Sequence, residues 1–83
     1  MKQGIAIVCR PLVIRSFETL EGDRCVDIFR RSDGSFGFEG YRRDMEDPRG
    51  WYPVGHFADG RFMCEGEATD AAVRIFPWIA ETT

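Results

Sequence analysis

The chain has 83 residues, of which 43% are hydrophobic and 13% aromatic, and it carries a formal net charge of −3 at pH 7. This length predicts one domain, residues 1–83, and the apolar share excludes a disordered chain, which would lack the surface to offset ordering entropy. The negative charge disfavours nucleic acid and anionic membranes as partners, because domains that bind them are typically basic. No apolar stretch approaches the roughly 20 residues of a membrane span, and no cleavable signal sequence is evident. We therefore expect a soluble cytoplasmic protein.

The reactive side chains are few and widely spaced. Cys9, Cys25 and Cys64 form no Cys-x-x-Cys pair, and their odd number argues against a disulfide scaffold. Zinc needs about four ligands clustered in pairs, and His56 is the only histidine. His56 is the first candidate for a general base, but no motif supplies a partner to orient it. The sequence predicts no catalytic residue, no metal and no cofactor.

The N-terminal quarter of the chain reads as β-structure. Residues 5–9 and 12–17 are apolar and β-branched, and Pro11 divides them. Since proline cannot donate to a sheet ladder, residues 1–11 form either an extended arm or an edge strand, followed by a strand. A turn at Glu21-Gly22-Asp23 ends this region.

The clearest local signal is Asp33-Gly34 between two segments rich in aromatic and β-branched residues, which predicts a β-hairpin. Two registers compete. A two-residue turn places Ile28 opposite Glu39, whereas a three-residue loop with a left-handed Gly34 places Ile28 opposite Phe38. The second register gathers four apolar side chains on one face, so burial favours it. These four are Val26, Ile28, Phe36 and Phe38.

The second half of the chain adds short strands and a helix. Residues 42–50 form a charged loop, residues 51–57 a further strand with Pro53 at an edge or bulge, and residues 62–64 a short final strand. Apolar residues at helical spacing then predict one C-terminal helix that ends near Pro77. Its buried face carries Ala68, Ala71, Ala72, Ile75 and Ile79, with Phe76 at the border.

The predicted fold class is α+β: an antiparallel β-meander of four or five strands with one C-terminal α-helix packed on one face. The run Val26-Asp27-Ile28-Phe29, the Asp33-Gly34 turn, Phe36 and Phe38, a second glycine turn and the alanine-rich helix resemble the small YegP-like bacterial domains. The resemblance covers roughly residues 24–76, and residues 42–57 depart from it. It implies a strand-strand-strand-helix fold and a small size, and it carries over no site residues.

Aromatic residues and arginines are concentrated around the charged loop, and these residue types are enriched at binding hot spots. Because strands alternate, one of Trp51 and Tyr52 is expected to face the core, and the other to lie on the helix-free face with Phe29 and Tyr41. The candidate interaction surface comprises Phe29, Tyr41, Arg42, Arg43, Arg49, Trp51, Tyr52 and His56.

Two functions fit this surface. The first is a protein–protein interaction or structural module, a homodimer that pairs through the helix-free face or a complex with another protein through that face. The alternative is a single-stranded nucleic-acid-binding module in which bases stack on sheet aromatics beside arginines. The net negative charge favours the first. An enzyme ranks third, because no catalytic motif is present.

Overall fold

A computed structural model describes residues 11–44, 46–55 and 57–82. Four antiparallel strands form one sheet in the order β1-β2-β3-β4, which confirms the predicted α+β meander. The strands are β1 Leu12–Glu18, β2 Arg24–Arg30, β3 Phe36–Arg42 and β4 Tyr52–Pro53. A 3₁₀ turn at Phe57–Asp59 and the helices α1 Glu65–Ile75 and α2 Ile79–Thr82 follow. No helix in these described ranges is long and apolar enough to cross a membrane. Apart from Pro11, the predicted arm or edge strand at residues 1–11 lies outside the described residues.

The β2–β3 hairpin adopts the register that burial favours. Ile28 lies opposite Phe38, and the Arg31 N–H donates to the carbonyl of Ser35 at 2.8 Å, which closes a three-residue loop. Gly34 has a φ of +90°, a left-handed conformation that residues with a Cβ resist. Both the loop length and the left-handed glycine are therefore confirmed.

Replacing Gly34 by valine should destabilise the hairpin through the backbone alone. No atom lies within 4 Å of a Cβ built at this position, so the expected loss of about 1–2 kcal/mol in the free energy of unfolding comes from the positive φ. Urea unfolding measures it. Gly34→Asn is the matched control and should lose less, because asparagine tolerates the left-handed region. Equal stability of the valine variant and the parent chain would contradict this geometry.

The core lies between one face of the sheet and α1. Ala68 and Ala72 of α1 are completely buried, as predicted, and their small side chains let the helix approach the large residues of the sheet. We call this side of the sheet the helix-covered face. The buried core cluster consists of Phe17, Val26, Ile28, Phe38, Ala68, Ala72 and Ile79.

The C-terminal helical region is two helices, where the sequence predicted one. Ile75 is 44% exposed, so its predicted burial is wrong. The backbone leaves the helix at Phe76 (φ −123°, ψ 76°) because the following Pro77 disfavours helical geometry there. The Phe76 ring turns into the core instead, edge-on to Phe38 at 6.5 Å. Ile79 is buried as predicted, but it belongs to α2.

The chain after β3 is less regular than predicted. Among the described residues of the expected strand at 51–57, β-pairing with β3 is limited to Tyr52–Pro53. The expected strand at 62–64 is reduced to one bridge between Phe62 and Phe36. The rings of Phe57 and Phe62 pack against Phe38, at 5.6 and 6.0 Å between centroids. These rings occupy the positions that Trp51 or Tyr52 was expected to fill.

Candidate binding groove on the helix-free face

The side of the sheet away from α1, here the helix-free face, is more polar than the sequence suggested. Strand alternation and the observed register place Asp27 directly opposite Ser16 on β1 and Glu39 on β3. Cys25 lies opposite Tyr41 on the same face. Three strands therefore contribute carboxylate, hydroxyl and thiol groups to a surface that was expected to be an aromatic patch.

Phe29 does not contribute an exposed patch to this face. It is opposite Gly37, and a Cβ on Gly37 would stand only 2.8 Å from the Phe29 ring, so the ring closes over the glycine. The Arg31 guanidinium lies 4.9 Å from the centre of the ring. Phe29 is thus 6% exposed, so the expectation that it presents an exposed ring on this face is wrong.

Glu39 connects this face to the 3₁₀ turn. It is 5% exposed, and its carboxylate accepts hydrogen bonds from the backbone N–H groups of Phe57 and Ala58, both at 3.3 Å. These bonds satisfy donors that have no partner at the start of a helical turn. Glu39 therefore holds the chain after β4 in place and is not free to bind a ligand.

A groove of about 330 Å³ opens on the same face, at the end of the sheet where β2 begins and β3 ends. Its lining combines two carboxylates, two aromatic side chains, a hydroxyl and a thiol. The lining residues are Ser16, Glu18, Cys25, Asp27, Tyr41 and Trp51.

The polar groups at the base of the groove bind one another. The Ser16 hydroxyl donates to Oδ1 of Asp27 at 2.7 Å, and the Cys25 thiol donates to the same oxygen at 3.2 Å. Burial raises the pKa of Cys25 to about 11; the Ser16 hydroxyl lowers it, and the Asp27 carboxylate raises it further. Since the thiolate is the nucleophilic form, this cysteine is not activated for nucleophilic chemistry near neutral pH.

We expect Cys25 to resist alkylation. With a pKa of about 11, only about one thiol in a thousand is ionised at pH 8. Iodoacetamide at pH 8 should therefore modify the exposed Cys64 well before Cys25, which mass spectrometry of the Cys9→Ser variant can follow. Asp27→Asn removes the adjacent negative charge and should speed the reaction at Cys25. Equal rates at Cys25 and Cys64 in the parent sequence would contradict the raised pKa.

Trp51 forms the aromatic wall of the groove and is held by an arginine. The Arg43 guanidinium stacks 4.5 Å from the centre of the Trp51 ring and donates to the carbonyl of Gly22 at 2.8 Å. Trp51 nevertheless stays 38% exposed. Nearby, burial raises the pKa of Tyr41, with smaller contributions from the charges of Asp27 and Glu39, so its hydroxyl remains protonated and able to donate a hydrogen bond.

The structure brings together only part of the predicted surface. Tyr41, Arg43 and Trp51 meet at the groove, but Arg42 and Tyr52 pair with each other on the opposite side of the sheet. Arg49 forms an ion pair with Asp47, in which Nη2 of Arg49 lies 2.6 Å from Oδ2 of Asp47. His56 lies outside the described residues.

The expectation that one of Trp51 and Tyr52 faces the core is wrong. Tyr52 is 45% exposed and Trp51 is 38% exposed.

The carboxylates of the groove were missed by the sequence analysis, although a signal for them existed. In β2, Cys25 and Asp27 alternate with the buried Val26 and Ile28, so their common face could have been inferred. The contribution of β1 could not, because the β1–β2 register shifts between Val13 and Arg15. That irregularity, a β-bulge, changes which β1 side chains face the core.

The described parts of the chain contain no group of three or more His, Cys, Asp or Glu side chains that could hold a metal ion. Comparison of the chain with protein-family models, curated proteins and solved structures finds no match. The resemblance to YegP-like domains therefore stays an expectation.

Proposed function

We propose that this protein is a protein-interaction module that binds a basic segment of a partner protein in the groove of the helix-free face. The observation that carries the proposal is that the Glu18 and Asp27 carboxylates line the same groove as the Tyr41 and Trp51 rings. Within the described residues, neither carboxylate has a cationic partner. Ser16 and Cys25 donate to Asp27, but both donors are neutral.

The chemistry of the groove matches an arginine or lysine side chain. A guanidinium or ammonium group between carboxylates gains charge-assisted hydrogen bonds, and it also gains from contact with an aromatic face. Arg43 stacked on Trp51 provides an internal example of the second contact. Exposed tryptophan and tyrosine are typical of interaction hot spots, which supports a protein as the partner.

A second copy of the chain fits this groove less well. In a symmetric face-to-face dimer, the same patch meets itself. The acidic groups Glu18 and Asp27 would then face the acidic groups of the other copy, and like charges brought together are destabilising. Phe29, the apolar anchor expected for such a dimer, is buried within the chain. The homodimer therefore remains a prediction that would require another surface.

Single-stranded nucleic acid is the weaker candidate. Tyr41 and Trp51 offer rings on which bases could stack, but the neighbouring carboxylates repel phosphates. Arg42 lies on the other side of the sheet, and Arg49 is paired with Asp47. These arginines therefore do not form a basic track beside the rings, and phosphate neutralisation supplies most of the affinity of such proteins.

Fluorescence anisotropy with a dye-labelled hexa-arginine peptide tests the proposal. Asp27→Asn and Glu18→Gln should each weaken binding about 5- to 10-fold, because each removes one charge-assisted partner. Glu81→Gln is the matched control: it removes one exposed charge on α2 and should change the affinity less than about twofold.

Equal losses for Asp27→Asn and Glu81→Gln would contradict the proposal, since they would indicate attraction to net charge alone. A uridine hexanucleotide in parallel tests the alternative. RNA binding that is tighter than peptide binding, weakens with salt and is unaffected by Asp27→Asn would favour the nucleic-acid function.

A further inference from the structure

A second, smaller pocket lies across the sheet from the groove, beside the junction of α1 and α2. Its volume is about 140 Å³. Two arginines stand at its rim, and apolar and aromatic side chains form its walls. The lining residues are Arg24, Tyr41, Arg42, Val54, Phe76 and Trp78.

The two arginines are an unusual pair. Arg24 and Arg42 lie directly opposite each other on β2 and β3, an arrangement in which like charges destabilise a sheet. Neither guanidinium has a hydrogen bond or ion pair among the described residues, and both side chains are exposed. Two guanidinium groups without an ion-pair partner thus line one pocket.

The volume and the side chains of this pocket indicate which ligand would fit it. An apolar cavity of about 150 Å³ holds one benzene molecule in another protein, so this pocket has room for about one ring. Trp78 supplies part of the wall. The two guanidinium groups are donors only, which favours a ligand whose polar end accepts hydrogen bonds.

We propose that this pocket binds a small organic oxyanion, namely a carboxylate or phosphate carried on a single apolar ring. The ring packs against Phe76, Val54 and Trp78, and the oxyanion bridges Arg24 and Arg42. Planar guanidinium groups match the oxygen geometry of both anions. The bound anion also compensates the repulsion between the two arginines.

The pocket and the groove have opposite electrostatic preferences, although Tyr41 borders both. An anion suited to Arg24 and Arg42 is repelled by Glu18 and Asp27 in the groove. This site is therefore independent of the proposed protein-interaction function, and either proposal can fail without the other.

Two-dimensional NMR of the two tryptophan indole N–H groups separates the sites, because Trp51 reports on the groove and Trp78 on the pocket. Trp51→Phe assigns the two signals. Benzoate should shift the Trp78 signal saturably, with a dissociation constant on the order of millimolar, and leave the Trp51 signal in place. Acetate lacks the ring and benzyl alcohol lacks the charge, so both should bind at least about 10-fold more weakly. Phenyl phosphate in parallel distinguishes a phosphate from a carboxylate ligand.

Variants test the role of the arginines. Arg24→Gln and Arg42→Gln should each weaken benzoate binding about 10-fold and raise the melting temperature of the free protein, because each relieves the like-charge pair. Arg30→Gln, at an exposed position on the same face of β2, should leave the affinity unchanged. Equal binding of benzoate and benzyl alcohol, an equal loss with Arg30→Gln, or no shift of the Trp78 signal with any of the anions would overturn the proposal.

Discussion

Phe29→Ala should lower the free energy of unfolding by about 3 kcal/mol, the range expected when a buried phenylalanine is truncated. The ring is 6% exposed, although it lies on the helix-free face. It covers Gly37, and Arg31 packs over it. Urea unfolding monitored by circular dichroism gives the value. Val13→Ala is the matched control, because Val13 lies opposite Phe29 on β1 and is 50% exposed. A Phe29→Ala variant as stable as Val13→Ala would show that the ring is not buried against Gly37.

A double-mutant cycle makes this test specific for the Phe29–Gly37 contact. Gly37→Ala alone should be destabilising, because its Cβ would stand 2.8 Å from the Phe29 ring. In the Phe29→Ala background the ring is gone and that clash disappears. The double variant should therefore be about 1–2 kcal/mol more stable than the sum of the single effects predicts. Strict additivity would contradict the close packing of ring on glycine.

Gly40→Ala should lower the free energy of unfolding by about 2–3 kcal/mol through overpacking. A Cβ at Gly40 would lie 2.5 Å from Cζ of Phe76. That ring cannot move aside freely, because it packs edge-on against Phe38 and Phe57. Thermal and urea unfolding should agree on the loss.

Gly66→Ala is the matched control for Gly40→Ala. Gly66 is exposed in α1, and an added Cβ would meet only the Cys64 sulfur, at 3.9 Å. Since alanine favours the helix over glycine, this variant should gain up to about 1 kcal/mol. Equal effects of the two substitutions would indicate that Phe76 does not pack on β3 as described.

The hairpin and the main helix were predictable because the local sequence preferences and the burial of apolar side chains favour the same structure there. Asp33-Gly34 specifies the turn, only one register places Ile28 and Phe38 on the same face, and Ala72 has the small size that close helix packing needs. Alternation placed Phe29 on the correct face, but neither its burial nor the exposure of Trp51 was predictable in this way. Trp51 precedes a strand of only two residues, and the burial of Phe29 depends on the missing side chain of Gly37 across the strand.

The candidate site was predictable only in part, because some of its residues come together only through the pairing of the strands. Tyr41, Arg43 and Trp51 were selected for residue type, and the structure places them together. Glu18 and Asp27 were not among the candidates, which were selected as aromatic residues and arginines. The face of Asp27 follows from the alternation of β2, but that of Glu18 depends on the bulged register of β1, a tertiary feature that local sequence does not encode.

The central claim is that the groove on the helix-free face binds a cationic segment of a partner. NMR chemical-shift mapping of the isotope-labelled protein, titrated with hexa-arginine peptide, tests it most directly. We predict that the largest shifts fall on the Trp51 indole N–H and on the backbone amides of Ser16, Asp27 and Tyr41, while the Trp78 indole signal does not move. Largest shifts at Glu67 and Asp70 on the exposed side of α1 would instead indicate diffuse attraction to acidic surface and would contradict the claim.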